Sequence, residues 1–268
     1  MAERAEAEAR LQALLAPWPG AVVAFSGGVD STVLLAAALE ALGPERVVAA
    51  IADSPSLARR ELAEARAQAA ALGARLRVLA TAEMEEPRYR ANAGDRCFWC
   101  KESLFAAAEP LARELGFVLC YGENADDVHE DRPGARSAAQ RGVRAPLREA
   151  GWGKEQVRAY ARSRGLAAAE KPAAPCLASR LPVGVSVSRE ALAQVERFEE
   201  SVRARGFRVV RARHLSPAAA TLEVGEDELA RALGDAGLLR ADAALAGYAH
   251  LEIRTYRRGS AAQAAIPV

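Results

Sequence analysis

Short apolar runs recur along the first two thirds of the chain, each followed by a turn and then by a longer stretch with helical spacing. Ala21 to Phe25, Val47 to Ile51, Leu76 to Leu79 and Phe117 to Tyr121 are too short for helices and read as buried parallel strands. Between them, helices are predicted over Thr32 to Leu39, running to Gly43-Pro44, over the Ala-rich Leu57 to Leu72, closed by Gly73, and over Phe98 to Leu115, closed by Gly116. A charged amphipathic helix comes first and stops near Pro17-Trp18-Pro19-Gly20. Such alternation predicts an α/β fold, a parallel sheet with helices on both faces. Gly122 to Gly142 is polar and is expected to be loop, Trp152 to Arg164 is expected to be helix, and the Pro-rich stretch Lys171 to Pro182 breaks the pattern.

Beyond that break the order of elements changes. A helix over Arg189 to Arg205 is followed by strands Phe207 to Arg213 and Ala220 to Val224, helices Glu226 to Leu233 and Ala236 to Ala246, and a strand His250 to Ile253. This predicts a smaller α+β domain, so that residues 1–184 form one domain and 185–268 another. No internal repeat is visible.

A chain of 268 residues can bury a core without staples, and 51% hydrophobic with 26% charged residues excludes wholesale disorder. Basic and acidic residues, 36 against 35, nearly cancel, so any bound anion must be held by a local site rather than by the whole surface. No stretch approaches the ~20 uncharged apolar residues of a membrane helix, and the opening MAERAEAEAR lacks the apolar core of a secretory signal. A soluble, cytoplasmic protein is expected, with neither nucleic acid nor membrane as partner. Lys occurs only at 101, 154 and 171, and two of these lie beside cysteines, after Cys100 and ahead of Cys176. A Lys kept among so many Arg suits a compact, titratable ammonium, although chance placement accounts for it as well.

Ser26-Gly27-Gly28-Val29-Asp30-Ser31 lies where the first strand meets a helix, the edge at which open α/β sheets bind ligands. Main-chain N–H groups and the helix dipole there favour an anion; Gly27 and Gly28 let the backbone approach phosphate oxygens, and Ser26, Ser31 and Thr32 add hydroxyls. The spacing is neither that of a Walker loop nor that of a dinucleotide fingerprint. A plain glycine turn capped by Ser31 is the alternative. After an apolar strand, this segment resembles the pyrophosphate loop (PP-loop) of the ATP pyrophosphatases. That resemblance covers about the first 165 residues. It implies cleavage of ATP between its α and β phosphates, transfer of AMP to a carboxylate or carbonyl oxygen, and catalytic and ATP-binding roles for Asp30.

Four cysteines are too few for a disulfide scaffold in a chain of this size and are better read as metal or thiol chemistry. Cys97-Phe98-Trp99-Cys100 opens a predicted helix, which places two thiols on one side near the positive end of the dipole. By itself a CxxC also suits a redox pair or half a zinc site. Cys120 sits inside an apolar strand and reads as a buried structural thiol.

Three segments together, Asp95 to Lys101, Gly122 to Asp127 with Arg132-Pro133-Gly134, and Pro175 to Arg180, resemble the LarE family, the pyridinium-3,5-biscarboxylic acid mononucleotide sulfurtransferases of nickel-pincer cofactor assembly. The match runs through nearly the whole chain in the same order. It implies a PP-loop ATP pyrophosphatase domain over 1–184 and a substrate-binding and oligomerisation domain over 185–268. It further implies adenylation of a substrate carboxylate, then a thiocarboxylate product, with a small nucleotide as substrate and a homo-oligomer, a hexamer in the family, as the assembly. Cys176 falls on the family's cysteine position, which in some members surrenders its sulfur and becomes dehydroalanine. Members with two further cysteines at the CxxC use the three thiolates to hold a [4Fe-4S] cluster, and Cys97, Cys100 and Cys176 follow that pattern. Three ligands would leave one iron open for an added sulfide. A CxxC that only packs or cycles redox state, with Cys176 as sacrificial donor, remains the alternative.

Arg211 and Arg213 alternate along a predicted strand and share a face, as a phosphate clamp requires; in the family this position resembles the one that holds the substrate's phosphate. A solvated Arg face suits the same pattern. Asp30, Asp126 and Asp127 are candidate Mg²⁺ ligands beside ATP, with turn and cap roles equally open to the last two. A tRNA thiolase of the same superfamily is a further possibility, but the near-neutral charge and the lack of a zinc ribbon count against it.

Overall fold

Ala21 to Ala24 lie buried at the centre of a parallel sheet, which is why this strand carries no polar position at all. The computed structural model describes residues 2–129, 133–172 and 174–257. In chain order its elements are α1 (Ala2–Leu15), β1 (Ala21–Ala24), α2 (Val29–Leu42), β2 (Val47–Asp53), α3 (Arg59–Ala71), β3 (Arg75–Ala80), α4 (Pro87–Ala91) and α5 (Arg96–Leu115). There follow β4 (Val118–Tyr121), α6 (Pro133–Gln140), α7 (Pro146–Glu149), α8 (Lys154–Ser163), α9 (Arg189–Ala204), β5 (Val210–Ser216), β6 (Ala219–Val224), α10 (Leu229–Gly234), α11 (Ala236–Ala246) and β7 (His250–Thr255). Single 3-10 turns add Ala125–His129 and Leu177–Arg180. The chain divides into two compact units, Met1–Glu83 with Cys97–Ala174, and Met84–Arg96 with Pro175–Val268.

In the first unit four parallel strands lie in the order β3-β2-β1-β4, as the α/β pattern of the sequence predicts. Ala21 and Val23 face a core built with Leu11, Val33, Leu34, Trp152 and Tyr160, so α1, α2 and α8 cover one face. Val22, Val48 and Ala50 turn the other way, onto Ala112 of α5. Alternation along one strand thus serves two helical layers. The second unit contains a smaller mixed sheet, β5-β6-β7, antiparallel in its first pair and parallel in its second. Helix α9 packs on β5 through Val195, Phe198 and Val202, all buried. Among the described residues no helix is long and apolar enough to cross a membrane.

The structure departs from the predicted elements in two instructive places. Within the stretch expected to be loop, α6 forms because Pro133 supplies a first-turn residue and Ser137 and Arg141 bond Glu102 on α5. Tertiary contacts therefore make a helix where local composition is too polar to signal one. The strand expected from Phe207 begins only at Val210, because Glu228 takes the main-chain N–H groups of Arg208 and Val209 at 2.8 and 3.0 Å. Those two donors cannot also join a ladder. Arg132, in a segment that carries the family resemblance, and Ala173, in the Pro-rich stretch, lie outside the described residues.

Candidate functional site

The strand order of the first sheet reverses its direction of growth between β1 and β4, and the crevice at their C-terminal ends is where such sheets take ligands. The Ser26 to Ser31 loop leaves β1 at this point and enters α2. Gly27 has φ +69, and a Cβ there would stand 3.0 Å from that of Ala65 on α3, so only glycine fits. The Ser31 hydroxyl donates to the Gly28 carbonyl at 3.0 Å and accepts from the Ser26 N–H at 3.2 Å, which ties the two ends of the loop together. Thr32 donates to Gln68 of α3 at 3.0 Å. Ser31 and Thr32 are buried, Ser26 is exposed, and Gly28 at the helix N-cap has no side-chain cap. The Ser26 hydroxyl and the main-chain N–H groups at the head of α2, which no helical carbonyl can satisfy, are the donors that an anion would meet at this edge.

The loop after β4 closes on the same point. A Cβ on Gly122 would stand 2.7 Å from the Ser31 nitrogen, so the two main chains touch only because this residue has none. Asn124 then reaches Asp30, its Nδ2 donating to Oδ1 at 3.1 Å, while Lys154 at the head of α8 lies 2.5 Å from Oδ2. Asp126 accepts the Lys154 main-chain N–H at 2.7 Å, and Asp127 accepts that of Asn124 at 3.2 Å. Asp30, Asp126 and Asp127 thus share one network, in which the last two brace backbone.

Cys97 and Cys100 occupy the first turn of α5, one exposed and one half-buried, and no disulfide joins any of the four cysteines. Lys101 follows them, its ammonium 5.6 Å from the Phe105 ring centroid and 5.5 Å from that of Tyr121. Burial pushes its pKa down; Cys100, Cys97 and Glu123 oppose this, and the balance stays below the usual lysine value. Cys120 lies in β4, fully buried, and burial pushes its thiol well above the ordinary range, as befits a structural residue. In the second unit Cys176 opens the Leu177–Arg180 turn, half-buried, its carbonyl accepting the Ser179 N–H at 2.9 Å.

Arg180 holds that turn in place. It donates to the Pro175 and Cys176 carbonyls at 2.5 and 3.1 Å, while its other nitrogens bond buried Glu199 at 2.7 and 2.9 Å. Among the described residues, no three His, Cys, Asp or Glu side chains form a group that could hold a metal ion. Cys97 and Cys100 in the first unit and Cys176 in the second are unburied thiols, the donor type that ligates iron-sulfur clusters.

Arg211 and Arg213 share a face of β5, as the alternation predicts, but their situations differ. Arg213 is buried, bonded to Glu223 at 2.9 Å and to the Ser179 carbonyl at 2.9 Å. Arg211 is half-buried and lies 5.7 Å from the Tyr256 ring, with burial and nearby Arg180 both lowering its pKa. Replacing Arg213 by Ala should therefore destabilise the second unit by about 1.5–3 kcal/mol, since it takes one of two guanidiniums from the buried Glu223 carboxylate and leaves it Arg254 at 2.9 Å. Arg211→Ala should leave the urea midpoint within about 1 kcal/mol of wild type and weaken binding of a phosphate-bearing substrate by the 1.5–3 kcal/mol of a charge-assisted contact. Equal loss of stability in both variants would contradict this division.

Reading the sequence did not single out Asn124, Lys154, Arg180, Glu199 or Glu223 as site residues. Glu199 carried a signal, a carboxylate on the apolar stripe of α9 beside Val195, Phe198 and Val202. Lys154 carried one too, being among the three Lys of the chain.

No family model matches the chain. It is 32% identical over 214 residues to the pyridinium-3,5-bisthiocarboxylic acid mononucleotide synthase of Lactiplantibacillus plantarum, covering 80% of this chain and 78% of that one. An uncharacterized protein of Synechocystis is 42% identical over 194 residues, 72% of each chain. Another, from Methanocaldococcus jannaschii, is 26% identical over 186 residues, 68% of this chain and 69% of its own.

Proposed function

Because the chain belongs to the LarE family of ATP-dependent sulfurtransferases, we propose that it adenylates a carboxylate of pyridinium-3,5-biscarboxylic acid mononucleotide and converts it to a thiocarboxylate, a step in nickel-pincer cofactor assembly. The observation that carries this reading is the head of α2, which has no side-chain cap and is entered through Gly27 at φ +69 at the C-terminal edge of the sheet. There the Ser26 to Ser31 loop holds the β and γ phosphates of ATP. A carboxylate oxygen of the substrate attacks the α phosphorus, the bond to the bridging oxygen breaks, and pyrophosphate leaves with its charge neutralised by the loop. Asp30 is the carboxylate for Mg²⁺, with Asp126 and Asp127 supporting the same loop. The acyl-adenylate is then attacked at its carbonyl carbon by sulfur, and AMP departs. Arg211 supplies a cation for the substrate's phosphate, and Arg213 sets the strand that carries it.

Cys97, Cys100 and Cys176 would hold a [4Fe-4S] cluster, which when bound would supply sulfide as the nucleophile. Arg180, pinned by Glu199, positions the turn on which Cys176 stands. The test uses anaerobically prepared protein with ATP, sulfide and the pyridinium substrate. AMP and pyrophosphate should form over many turnovers; ADP and phosphate would overturn the assignment. Serine at 97, 100 or 176 should bleach the brown protein, and Cys120→Ser should not. A loss of about 34 Da at Cys176, the departure of hydrogen sulfide to leave dehydroalanine, with Cys97 and Cys100 intact, would instead make Cys176 the donor.

A further inference from the structure

Lys154 is a cation at the nucleotide loop to which the proposed mechanism assigns no role. Its main chain is fixed at the first position of α8, where the N–H is held by Asp126, while its stem crosses to Asp30 and is 42% exposed. Both Asp30 oxygens are therefore occupied, one by the Lys154 ammonium at 2.5 Å and one by Asn124 at 3.1 Å. A divalent cation on Oδ2 beside the ammonium would bring two positive charges within van der Waals reach, and their repulsion favours departure of the ammonium. Metal and Lys154 therefore compete for the same carboxylate.

The arriving ligand itself offers the ammonium another partner. Mg²⁺ comes to an ATP pyrophosphatase with a polyphosphate, and the oxygens of that polyphosphate would lie at the head of α2, where Asp30 already stands. We infer that Lys154 is a phosphate ligand of the bound nucleotide, held in reserve on Asp30: metal binding at Asp30 and transfer of the ammonium to the departing pyrophosphate are one exchange. Before the exchange the ammonium faces the Asp30 carboxylate and after it a phosphate, while Asp30 trades the ammonium for the metal, so neither charge is left without a partner of opposite sign. The residue type fits the task. An ammonium is a compact charge with rotatable donors on a flexible stem, whereas a guanidinium would lock onto Asp30 with two parallel bonds. This is a physical reason for Lys at 154 in a chain whose other cations are nearly all Arg.

The inference rests on the nucleotide reading of the loop, and one set of titrations separates the two. Calorimetry on the full chain would measure magnesium pyrophosphate, metal-free pyrophosphate and magnesium ATP. Lys154→Met, which keeps the stem and removes the charge, should weaken both pyrophosphate forms about tenfold or more, the loss expected for one charge-assisted contact. Asp30→Asn should weaken the magnesium form but tighten metal-free pyrophosphate severalfold, because it releases Lys154 from its resting partner. The double variant should lose that gain. Unchanged pyrophosphate affinity in Lys154→Met, or equal weakening of both forms in Asp30→Asn, would overturn the exchange while leaving the loop assignment intact. A wild type that binds neither pyrophosphate nor ATP would overturn the loop assignment and the exchange with it.

Discussion

Gly27→Val should abolish formation of AMP and pyrophosphate while the protein stays folded. A β-branched residue at φ +69 is a genuine outlier, and its first carbon would lie 3.0 Å from the Ala65 Cβ and 3.2 Å from its Cα. The strain, about 1–3 kcal/mol, is smaller than the stability of an ordinary domain, about 5–15 kcal/mol, so the loop moves and the sheet survives. What is lost is the alignment of main-chain donors at the head of α2. A misplacement of one ångström at a reacting phosphate can cost about 100-fold in rate. Gly28→Ala is the matched control for strain, since its φ is −80 and its new carbon would meet only Ser26 Oγ, at 3.4 Å. Chromatographic assay of AMP, together with thermal melting of all three proteins, tests the expectation. A Gly27→Val enzyme with half the wild-type rate would mean that the loop does not cradle the phosphates.

The largest expected loss of stability follows Glu199→Leu. Glu199 is fully buried and serves three partners at once: Arg180 at 2.7 Å, Arg203 at 2.6 Å and the Ala212 N–H at 3.0 Å. Removing it leaves the buried Arg180 guanidinium without its carboxylate and Arg203 with that of Glu200, and breaking a buried pair costs about 3–5 kcal/mol. It also frees the arm that holds the Cys176 carbonyl, so sulfur transfer should fall further than ATP cleavage. Glu200, more than a third exposed and paired with Arg203 at 2.9 Å, is the surface comparison, and Glu200→Gln should cost about 1 kcal/mol or less. Urea midpoints of the two variants decide the matter, and similar losses would mean that the buried network adds nothing special.

The same network sets an acid limit. Burial alone would raise the Glu199 pKa, but Arg180, Arg203 and the Ala212 N–H outweigh it, and the carboxyl stays below its usual range. A lowered folded-state value stabilises the protein fully above the unfolded carboxylate pKa, about 4.3, and that contribution disappears as pH falls through the folded value. The urea midpoint of wild type should therefore drop below about pH 4 more steeply than that of Glu199→Leu.

Much of the first unit was legible because its signals are local. The apolar runs of β1 and β2, the glycine loop and the helices that follow all express burial or backbone freedom within a few residues of one another, and local pattern reports both. The CxxC at the head of α5 and the shared face of Arg211 and Arg213 were legible for the same reason, since helix and strand periods alone place them. Helix α6 was not, because its stability comes from Glu102 on another helix rather than from its own composition.

What the sequence by itself determined, then, is the alternation that builds a parallel sheet, the position of the loop on it, and the chemistry offered by the cysteines. Only the tertiary structure decided which charges meet. Lys154 finds Asp30 across 124 positions, and Glu199 finds Arg180 across 19, through packing of elements whose periodicities say nothing about each other. Hydrophobic pattern specifies the face that an element buries. It leaves open which side chains at the ends of different elements come within hydrogen-bond range, because that depends on sheet order and register, set by the fold as a whole.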